Sequence, residues 1–297
     1  MKSSKTLMSS KKQEAVTGWV MLIPNSLGLL VFCFIPIICA IYISFNDYNG
    51  LQPMSWVGIE NYKELFHEPL FKDSLIRTLL YALMYVPSMV IFSVLLGVLV
   101  NSLFRIPQGI VRTLIFFPYC ISAVISGMVW KFLLNYQNGY INRIIEMLGG
   151  TRQPFFGSPQ QALPSIALTA FWIGIGYNMV IMLAAIKDVP AEYYESASLD
   201  GANAFQKFFK ITLPELKHAI TFVLVMSTIN SFQVFDQVKV ITSGGPNRAT
   251  QVTVHYIYEK AFKHYDLGYA SAIAFVFFII LLVFSFIQLK YMLGKEK

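Results

Sequence analysis

Charged residues are scarce in this sequence. Asp, Glu, Lys and Arg make up 13% of its 297 residues, whereas a soluble domain contains roughly 25%. The shortage is concentrated in long uncharged stretches, among them 15–46, 78–104 and 153–186. Hydrophobic residues make up 56% of the chain. A globular soluble fold is therefore excluded, and the composition is typical of a protein that crosses a membrane several times.

Cysteine is rare, and the common catalytic motifs are absent. Cys33, Cys39 and Cys120 lie in apolar stretches without metal-ligand spacing, so we expect buried side chains and neither a metal site nor a disulfide framework. The phosphate-binding pattern G-x-x-x-x-G-K-[ST] and the zinc pattern H-E-x-x-H are both missing. The chain is therefore expected to bind no metal or cofactor and to hydrolyse no ATP, and an intramembrane metalloprotease is disfavoured.

Six apolar stretches are long enough to cross a membrane, which takes about 20 helical residues. They lie near 18–45, 78–103, 112–134, 163–186, 217–240 and 269–291. The third and the fifth reach full length only by including Lys131 or Asp236 near one end. The sequence thus predicts an all-α bundle of six transmembrane helices, with a tail at 1–17 and one membrane domain over 18–297.

The net charge of +7 is explained by its distribution and does not require a nucleic-acid partner. If both termini are cytoplasmic, the inner segments hold 13 Lys and Arg in 65 residues, and the outer segments hold 10 in 94. Lys and Arg are enriched on the cytoplasmic side of membrane proteins. The distribution predicts a multi-pass protein of a cell membrane, in contact with lipid, with both termini in the cytoplasm.

The segment between the fourth and fifth spans, EYYESASLDGANAFQKFFKITLP (192–214), is long, charged and helical in pattern. Asp188 is predicted to cap a first short helix with Pro190 in its first turn, and Gly201 is predicted to end that helix. Two capping boxes are predicted to start the helices that follow, at Asn203/Gln206 and at Thr212/Glu215.

The first of these short helices carries Glu192, Glu195 and Asp200 and no basic residue. Since the cytoplasmic leaflet is anionic, it repels carboxylates, and we expect this helix to dock into a basic groove of another protein. The alternative is that the segment lies flat on the bilayer through Phe205, Phe208 and Phe209. Geometry alone leaves both interpretations open.

The same segment closely resembles the cytoplasmic coupling motif of ATP-binding-cassette importer permeases. That motif is Glu-Ala-Ala, three residues, Gly, nine residues, then Ile-x-Leu-Pro. The matching positions here are Glu195, Ser196, Ala197, Gly201, Ile211, Leu213 and Pro214. Serine at 196 is the one departure from the pattern. The flanking stretches FWIGIGYNMVIMLAAIKDVP and VFDQVKVITSGGPNRAT are similar to those of carbohydrate importers.

The resemblance implies a type I importer permease fold in the cytoplasmic membrane of a prokaryote. It implies that a cytoplasmic coupling loop, 188–216, docks on an ATPase through residues that include Glu195, Asp200 and Ala202. It further implies a second homologous permease, usually a different chain, together with two ATP-binding subunits that carry ATP and Mg, and an extracellular solute-binding protein. The expected cargo is a sugar or an oligosaccharide.

The fifth predicted span contains polar residues at Ser227, Asn230, Ser231 and Gln233. Polar groups at membrane depth are costly unless they meet partners or water, so this helix is expected to face the protein interior. Hydrogen bonding between helices is one explanation, and a sugar site near the middle of the membrane is the other. In the best-known disaccharide transporter of the family, substrate positions match Gly174, Tyr177, Ser227, Ser231 and Val234 here.

Two further alternatives for the cargo and the mechanism remain open at this point. An ion-coupled secondary transporter of a small polar solute would normally carry carboxylates or histidines deep within its spans, and only Asp236 comes close. An importer for glycerol-phosphate or another non-sugar solute would share the overall layout, although no basic cluster lies within the spans. The segment TSGGPNRATQ (242–251) predicts a tight external turn without a further role.

Overall fold

The computed structural model describes the backbone of residues 3–293 and the side chains of 12–104 and 106–292. The predicted tail is, from Ser3 onward, the beginning of the first helix, while its residues 1 and 2 lie outside the described residues. The chain is predominantly helical, and the expected all-α membrane fold is confirmed. The helices that we name α1 to α6 are Ser3–Leu29, Ile35–Ile43, Glu60–His67, Pro69–Asn101, Arg105–Phe116 and Ala123–Leu133.

The remaining helices complete the bundle and its connecting segments. Helices α7 to α11 are Tyr140–Met147, Ala162–Asp188, Ala191–Leu199, Ala204–Lys207 and Leu213–Glu215. Helices α12 to α15 are Lys217–Phe232, Asp236–Ile241, Thr253–Phe262 and Leu267–Leu293. Two short strands, β1 (Asn46–Asp47) and β2 (Ser55–Trp56), pair antiparallel.

Within residues 3–293, five helical stretches are long and apolar enough to cross a membrane. They are Lys12–Ile43, Pro69–Asn101, Ala162–Asp188, Lys217–Ile241 and Leu267–Met292. They correspond to the first, second, fourth, fifth and sixth spans expected from the sequence. The first stretch joins α1 to α2 through a π-helical turn, and none of its most apolar residues is buried against the described part of the chain.

The third expected span, 112–134, does not form one straight helix. Helices α5 and α6 meet at a bend of 99°, because the chain between them includes a 3₁₀ turn with Pro118 and then the extended residues Ile121 and Ser122. Proline lacks the backbone N–H that a continuous helix needs. The apolar composition of this stretch predicted a span but could not reveal the bend.

The fifth span is also interrupted. Helix α12 ends at Phe232, and α13 begins at Asp236 after Phe235 adopts non-helical backbone angles, φ −141° and ψ −56°. The ring of Phe232 stacks on that of Phe277 with 5.7 Å between ring centroids. Because the helix is interrupted, the residues after Phe232 point in directions that the helical spacing of α12 does not predict. The break therefore affects which residues line the site described below.

The chain divides into two compact units. One comprises the residues up to Leu65 together with Lys260–Phe275, and the other comprises Phe66–Glu259 with the residues from Val276 onward. In the first unit, the β1–β2 hairpin is tied to the start of α15, since the backbone N–H groups of Leu267 and Gly268 both donate to the carbonyl of Tyr48, at 2.9 and 3.1 Å.

The second unit is centred on α4 and α8, which pack closely along their length. Gly97 of α4 allows this approach, because a Cβ there would lie 3.1 Å from the Cβ of Met182. Gly176 of α8 faces the end of α5, and a Cβ at this position would meet the carbonyl oxygen of Ile115 and the Cα of Phe116, the latter at 2.6 Å. Small residues at such crossings let helix backbones approach in lipid.

The three cysteines differ from expectation. Cys33, Cys39 and Cys120 are all exposed on the surface of the described chain. The prediction that they are buried in the protein is wrong, because an apolar stretch in a membrane protein can point its side chains outward, towards lipid, as readily as inward.

The segment 242–251 forms the tight turn expected from its composition. Ser243, Gly244, Asn247 and Arg248 have positive φ angles. The hydroxyl of Thr250 donates to the carbonyl of Gly245 at 2.7 Å, which closes the turn from within.

Replacing Gly176 by alanine should destabilise the protein. The added methyl group would overlap the backbone at the end of α5, and overpacking of this kind costs about 1–3 kcal/mol. We expect a lower midpoint of thermal unfolding in detergent for Gly176→Ala. The matched control is Gly109→Ala in α5, where the added Cβ would meet no described atom within 4 Å. If both variants unfold at the parental temperature, the close backbone contact is absent.

Candidate functional site

The first candidate site is the segment between α8 and α12. Helix α9 begins after Pro190, which occupies the N-cap position. The predicted cap at Asp188 is wrong, because α8 continues through Asp188. Val189 is extended, with ψ 125°, as expected for a residue that precedes a proline.

Gly201 ends α9 in the predicted manner. Its φ is +78°, a backbone conformation that glycine adopts without steric cost. The N–H of Gly201 donates to the carbonyl of Ser198 at 3.1 Å, and the N–H of Ala202 donates to that of Ala197 at 2.9 Å. This pair of hydrogen bonds is a Schellman motif. Gly201 therefore sets a sharp turn immediately after the acidic helix.

One of the two predicted capping boxes forms. Asn203 and Gln206 exchange side-chain to backbone hydrogen bonds, both at 2.9 Å, and this prediction is confirmed. The Thr212/Glu215 box does not form. The Thr212 hydroxyl instead lies 3.0 Å from the hydroxyl of Tyr194, because the chain at Phe208–Thr212 winds as a π-helix and turns this side chain towards α9.

A second hydrogen bond joins the two halves of the segment. The ammonium group of Lys207 donates to the hydroxyl of Ser198 at 2.6 Å. Together with the Tyr194–Thr212 pair, it connects α9 to the chain that leads into α12. The segment is thus held in one folded conformation. Residues 188–216 are called the coupling loop below, after the motif that they resemble.

The coupling loop projects its acidic helix outward. None of the described side chains of α9 is buried, and Glu192, Glu195 and Asp200 are all exposed. Apolar groups are exposed beside them: Leu199 is 91% exposed and Phe205 is 71% exposed. A surface that combines carboxylates with large apolar side chains is suited to a protein partner.

The structure places the other predicted coupling residues in the coupling loop. Ser196 is exposed on α9, Ala197 and Ala202 are partly buried at the turn, and Pro214 is exposed in the first turn of α11. Pro214 is tolerated there because the first turn of a helix leaves its N–H groups without intrahelical partners.

The second candidate site is a cavity of about 390 Å³ among α4, α8, α12 and α13. Four of the residues predicted to bind substrate line it. Its lining comprises Tyr81, Tyr85, Tyr119, Ala123, Ala170, Ile173, Gly174, Tyr177, Asn178, Met226, Asn230, Gln233, Val234, Phe235, Asp236 and Gln237. The set combines aromatic rings with amides.

Two stacked pairs of tyrosines form the aromatic part of the cavity. Tyr81 and Tyr85, four residues apart on α4, stack with 5.8 Å between ring centroids. Tyr119 stacks on Tyr177 at 4.8 Å with an angle of 14° between the ring planes. Tyr119 reaches the cavity because it lies in the 3₁₀ turn at the bend between α5 and α6.

Gly174 keeps the cavity open beside these rings. A Cβ at this position would lie 3.0 Å from the hydroxyl of Tyr85 and 3.0 Å from the Cε of Met89. Asn178, one turn further along α8, donates from its amide to the Gly174 carbonyl at 2.9 Å. Its amide oxygen is thereby oriented by the helix.

The polar part of the cavity is uncharged except for one carboxylate. Asn230 and Gln233 are exposed, and Asp236 contributes its carboxylate. Among the described residues that line the cavity, there is no lysine or arginine. The wall can therefore exchange hydrogen bonds with hydroxyl groups, but it has no cation to pair with an anionic solute.

Ser227 and Ser231, also predicted to bind substrate, do not line this cavity. Both are 1% exposed. Ser231 donates its hydroxyl to the carbonyl of Thr228 at 2.7 Å, and the hydroxyl of Ser227 has no hydrogen-bond partner among the described residues. They lie in the packed interior, while Asn230 and Gln233 reach the cavity near the break after α12.

Four polar or aromatic residues of the site, on α4, on α8 and at the bend after α5, were not predicted from the sequence. They are Tyr81, Tyr85, Tyr119 and Asn178. The spacing of Tyr81 and Tyr85 by four within an uncharged span is a signal that could have found them, since such residues lie on one helix face. Tyr119 could not be found in this way, because its position depends on the bend.

The chain is similar to many known membrane transport proteins. The family model described as "Binding-protein-dependent transport system inner membrane component" matches residues 66–295. A probable ABC transporter permease, YurN of Bacillus subtilis, is 33% identical over 96% of this chain and 99% of its own length. The trehalose/maltose permease MalF of Thermococcus litoralis is 30% identical over 94% and 95%.

A third relative and a solved structure agree with this similarity. The arabinooligosaccharides permease AraP of Halalkalibacterium halodurans is 31% identical over 100% of this chain and 93% of its own. A bacterial ABC transporter involved in alginate import shares the fold, with a TM-score of 0.86 at 24% identity, over 98% of this chain and 100% of that chain. The long match to the family model, which covers both the coupling loop and the cavity, shows that this chain belongs to the inner membrane components of binding-protein-dependent transport systems.

Proposed function

We propose that this chain is a permease subunit of an ATP-driven importer and forms half of a pathway for a neutral sugar or oligosaccharide. The observation that carries the proposal is the coupling loop, an acidic and apolar elbow that is folded by its own hydrogen bonds and yet leaves α9 exposed. The exposed carboxylates favour a protein partner over the bilayer, since an anionic leaflet repels them.

The partner that fits α9 is a cytoplasmic ATPase with a basic groove. Glu192, Glu195 and Asp200 favour a cationic surface, and Leu199 would fill an apolar pocket within it. The chain has no phosphate-binding loop, so ATP and Mg belong to that partner. The family consists of transport components. This chain would act by transmitting the movement of the ATPase to the transport pathway.

The complete importer would contain two such ATPases, a second homologous permease and an extracellular solute-binding protein. The family description itself names a binding protein. If α9 docks on a cytoplasmic ATPase, the coupling loop lies inside the cell. Both termini then lie on the same side when the bent α5–α6 pair counts as one span, in agreement with the distribution of lysine and arginine.

The cavity favours a neutral carbohydrate as the cargo. Flat tyrosine rings such as Tyr177 can pack against the C–H faces of a sugar ring, while Asn178, Asn230 and Gln233 can exchange hydrogen bonds with its hydroxyls. Apolar walls with a few placed polar groups are typical of small-molecule sites. Asp236 would repel a phosphorylated or acidic sugar. Relatives of this chain are named for trehalose, maltose and arabinooligosaccharides.

Reversing the charge of Glu195 should weaken the association with the ATPase. Glu195→Lys places a cation against a basic groove, and we expect at least a tenfold loss of bound ATPase, equivalent to about 1.4 kcal/mol. Co-purification of the tagged permease with its ATPase from membranes measures this effect. The matched control, Glu64→Lys, makes the same change at an exposed position of α3 and should retain the ATPase. Equal recovery with Glu195→Lys would contradict docking through α9.

Substitutions in the cavity should lower transport without disturbing assembly. Tyr177→Ala removes a stacking surface and Asn230→Ala removes an amide, and each should reduce uptake roughly tenfold, equivalent to about 1.4 kcal/mol. Uptake of maltose, trehalose and arabinooligosaccharides into vesicles that contain the complete complex and its binding protein provides the measurement.

Ser227→Ala is the matched control for the cavity variants, because Ser227 lies outside the cavity and should leave uptake unchanged. The subunit composition of each purified complex is determined in parallel. Parental uptake by both Tyr177→Ala and Asn230→Ala, or a strong loss with Ser227→Ala in an assembled complex, would show that the sugar follows another route.

A further inference from the structure

Helix α7, between α6 and α8, faces the protein with a side that contains Asn142 and the partly buried Ile141 and Ile145. Asn142 is 1% exposed. Its amide donates to the carbonyls of Asn135 and Gln153 at 3.1 and 3.0 Å, and its side-chain oxygen accepts from the N–H of Gln153 at 2.7 Å. These three bonds fix which face of α7 points inward.

An ion pair in the last turn of α7 fixes the same orientation. The guanidinium of Arg152 donates to both carboxylate oxygens of Glu146 at 2.6 and 3.0 Å and to the carbonyl of Gln137 at 2.9 Å. The hydrogen bond from Arg152 lowers the pKa of Glu146, so this carboxylate stays ionised over the physiological range. The helix is thus fastened through Asn142 and Glu146.

The opposite face of α7 is apolar and points away from the protein. Tyr140 and Ile144 are 54% and 52% exposed, and Met147 and Leu148 are 84% and 83% exposed. Residues spaced by four, seven and eight share one face of a helix. Arg143 and Glu146 are exposed as well, so the outer surface of α7 combines this apolar row with charged side chains beside it.

This face continues a row of exposed apolar side chains on the preceding helix. On α6, Ile125, Met128, Val129 and Phe132 are all exposed and lie on one side of the helix. The ring of Phe132, in the last turn of α6, packs edge-on against the ring of Tyr140 with 5.9 Å between centroids. The exposed apolar surface of α6 therefore continues onto α7.

We propose that α7 lies in the outer lipid–water interface, with Tyr140, Ile144, Met147 and Leu148 inserted at the boundary between headgroups and acyl chains. Helices with one charged and one apolar face bind membranes in this way, and tyrosine is enriched at that depth. Arg143, whose guanidinium lies 5.7 Å from the centre of the Tyr140 ring, is placed to reach the lipid phosphates. A lipid surface is favoured over a protein because the face continues onto α6, which belongs to a bent helix pair that is apolar enough for a membrane.

Fluorescence quenching on the full chain, assembled in its complex and reconstituted in phosphatidylcholine vesicles, tests this placement. The three native cysteines are replaced by alanine, and a bimane label is attached at Met147→Cys, Leu148→Cys or Gln137→Cys. Gln137 is the matched control, because it is exposed in the same segment between α6 and α8 but outside the apolar row. Dibrominated phosphatidylcholine reports contact with lipid, and iodide in the external solution reports contact with water.

We expect brominated lipid to quench the labels at 147 and 148 several-fold more than the label at 137, and iodide to show the reverse order. Equal quenching of all three labels by iodide would overturn the proposal. Protection of 147 and 148 from iodide only after the solute-binding protein is added would also overturn it, since the face would then belong to a protein interface. A label at Ile144→Cys, on the same face, provides an independent reading.

Discussion

The close packing of α8 on α4 and on the end of α5 is the constraint on which the rest of the structure depends. Backbones approach at Gly97 and Gly176 because those positions lack a side chain. This contact holds the bend after α5 in place, and the bend positions Tyr119 against Tyr177. At Gly174, one turn before Tyr177, the missing side chain instead leaves space. Glycine therefore allows close helix packing at Gly97 and Gly176 and leaves space in the cavity at Gly174.

Much of the fold follows from the sequence alone, because length and lack of charge are enough to identify a membrane span. The five long spans and the turn at Gly201 were accessible in this way, as was the capping box at Asn203 and Gln206, which depends on residues only three apart. These features are determined by residues that are neighbours in the chain. They can therefore be predicted without knowing how the helices pack.

Other features were not predicted from the sequence, for reasons that differ between them. The bend after α5 and the break after α12 both lie within uncharged stretches that read as continuous. Asn230 on α12 and Gln233 at the break line the cavity, whereas Ser227 and Ser231 of the same helix pack inside. The Thr212 hydroxyl pairs with Tyr194 and not with its own helix start. The Thr212–Tyr194 contact depends on tertiary packing, whereas the bend after α5 also contains Pro118, a local signal that hydropathy alone does not register.

The coupling loop joins the end of α8 directly to the start of α12, and both of these helices line the cavity. From Asp188 back to Tyr177, and from Lys217 on to Asn230, the chain is helical, with a rise of about 1.5 Å for each residue. Two helices that line the cavity are thus joined through one loop. If an ATPase binds this loop as proposed, its movement would reach both helices together, and the cavity would change shape on both of them in the same step.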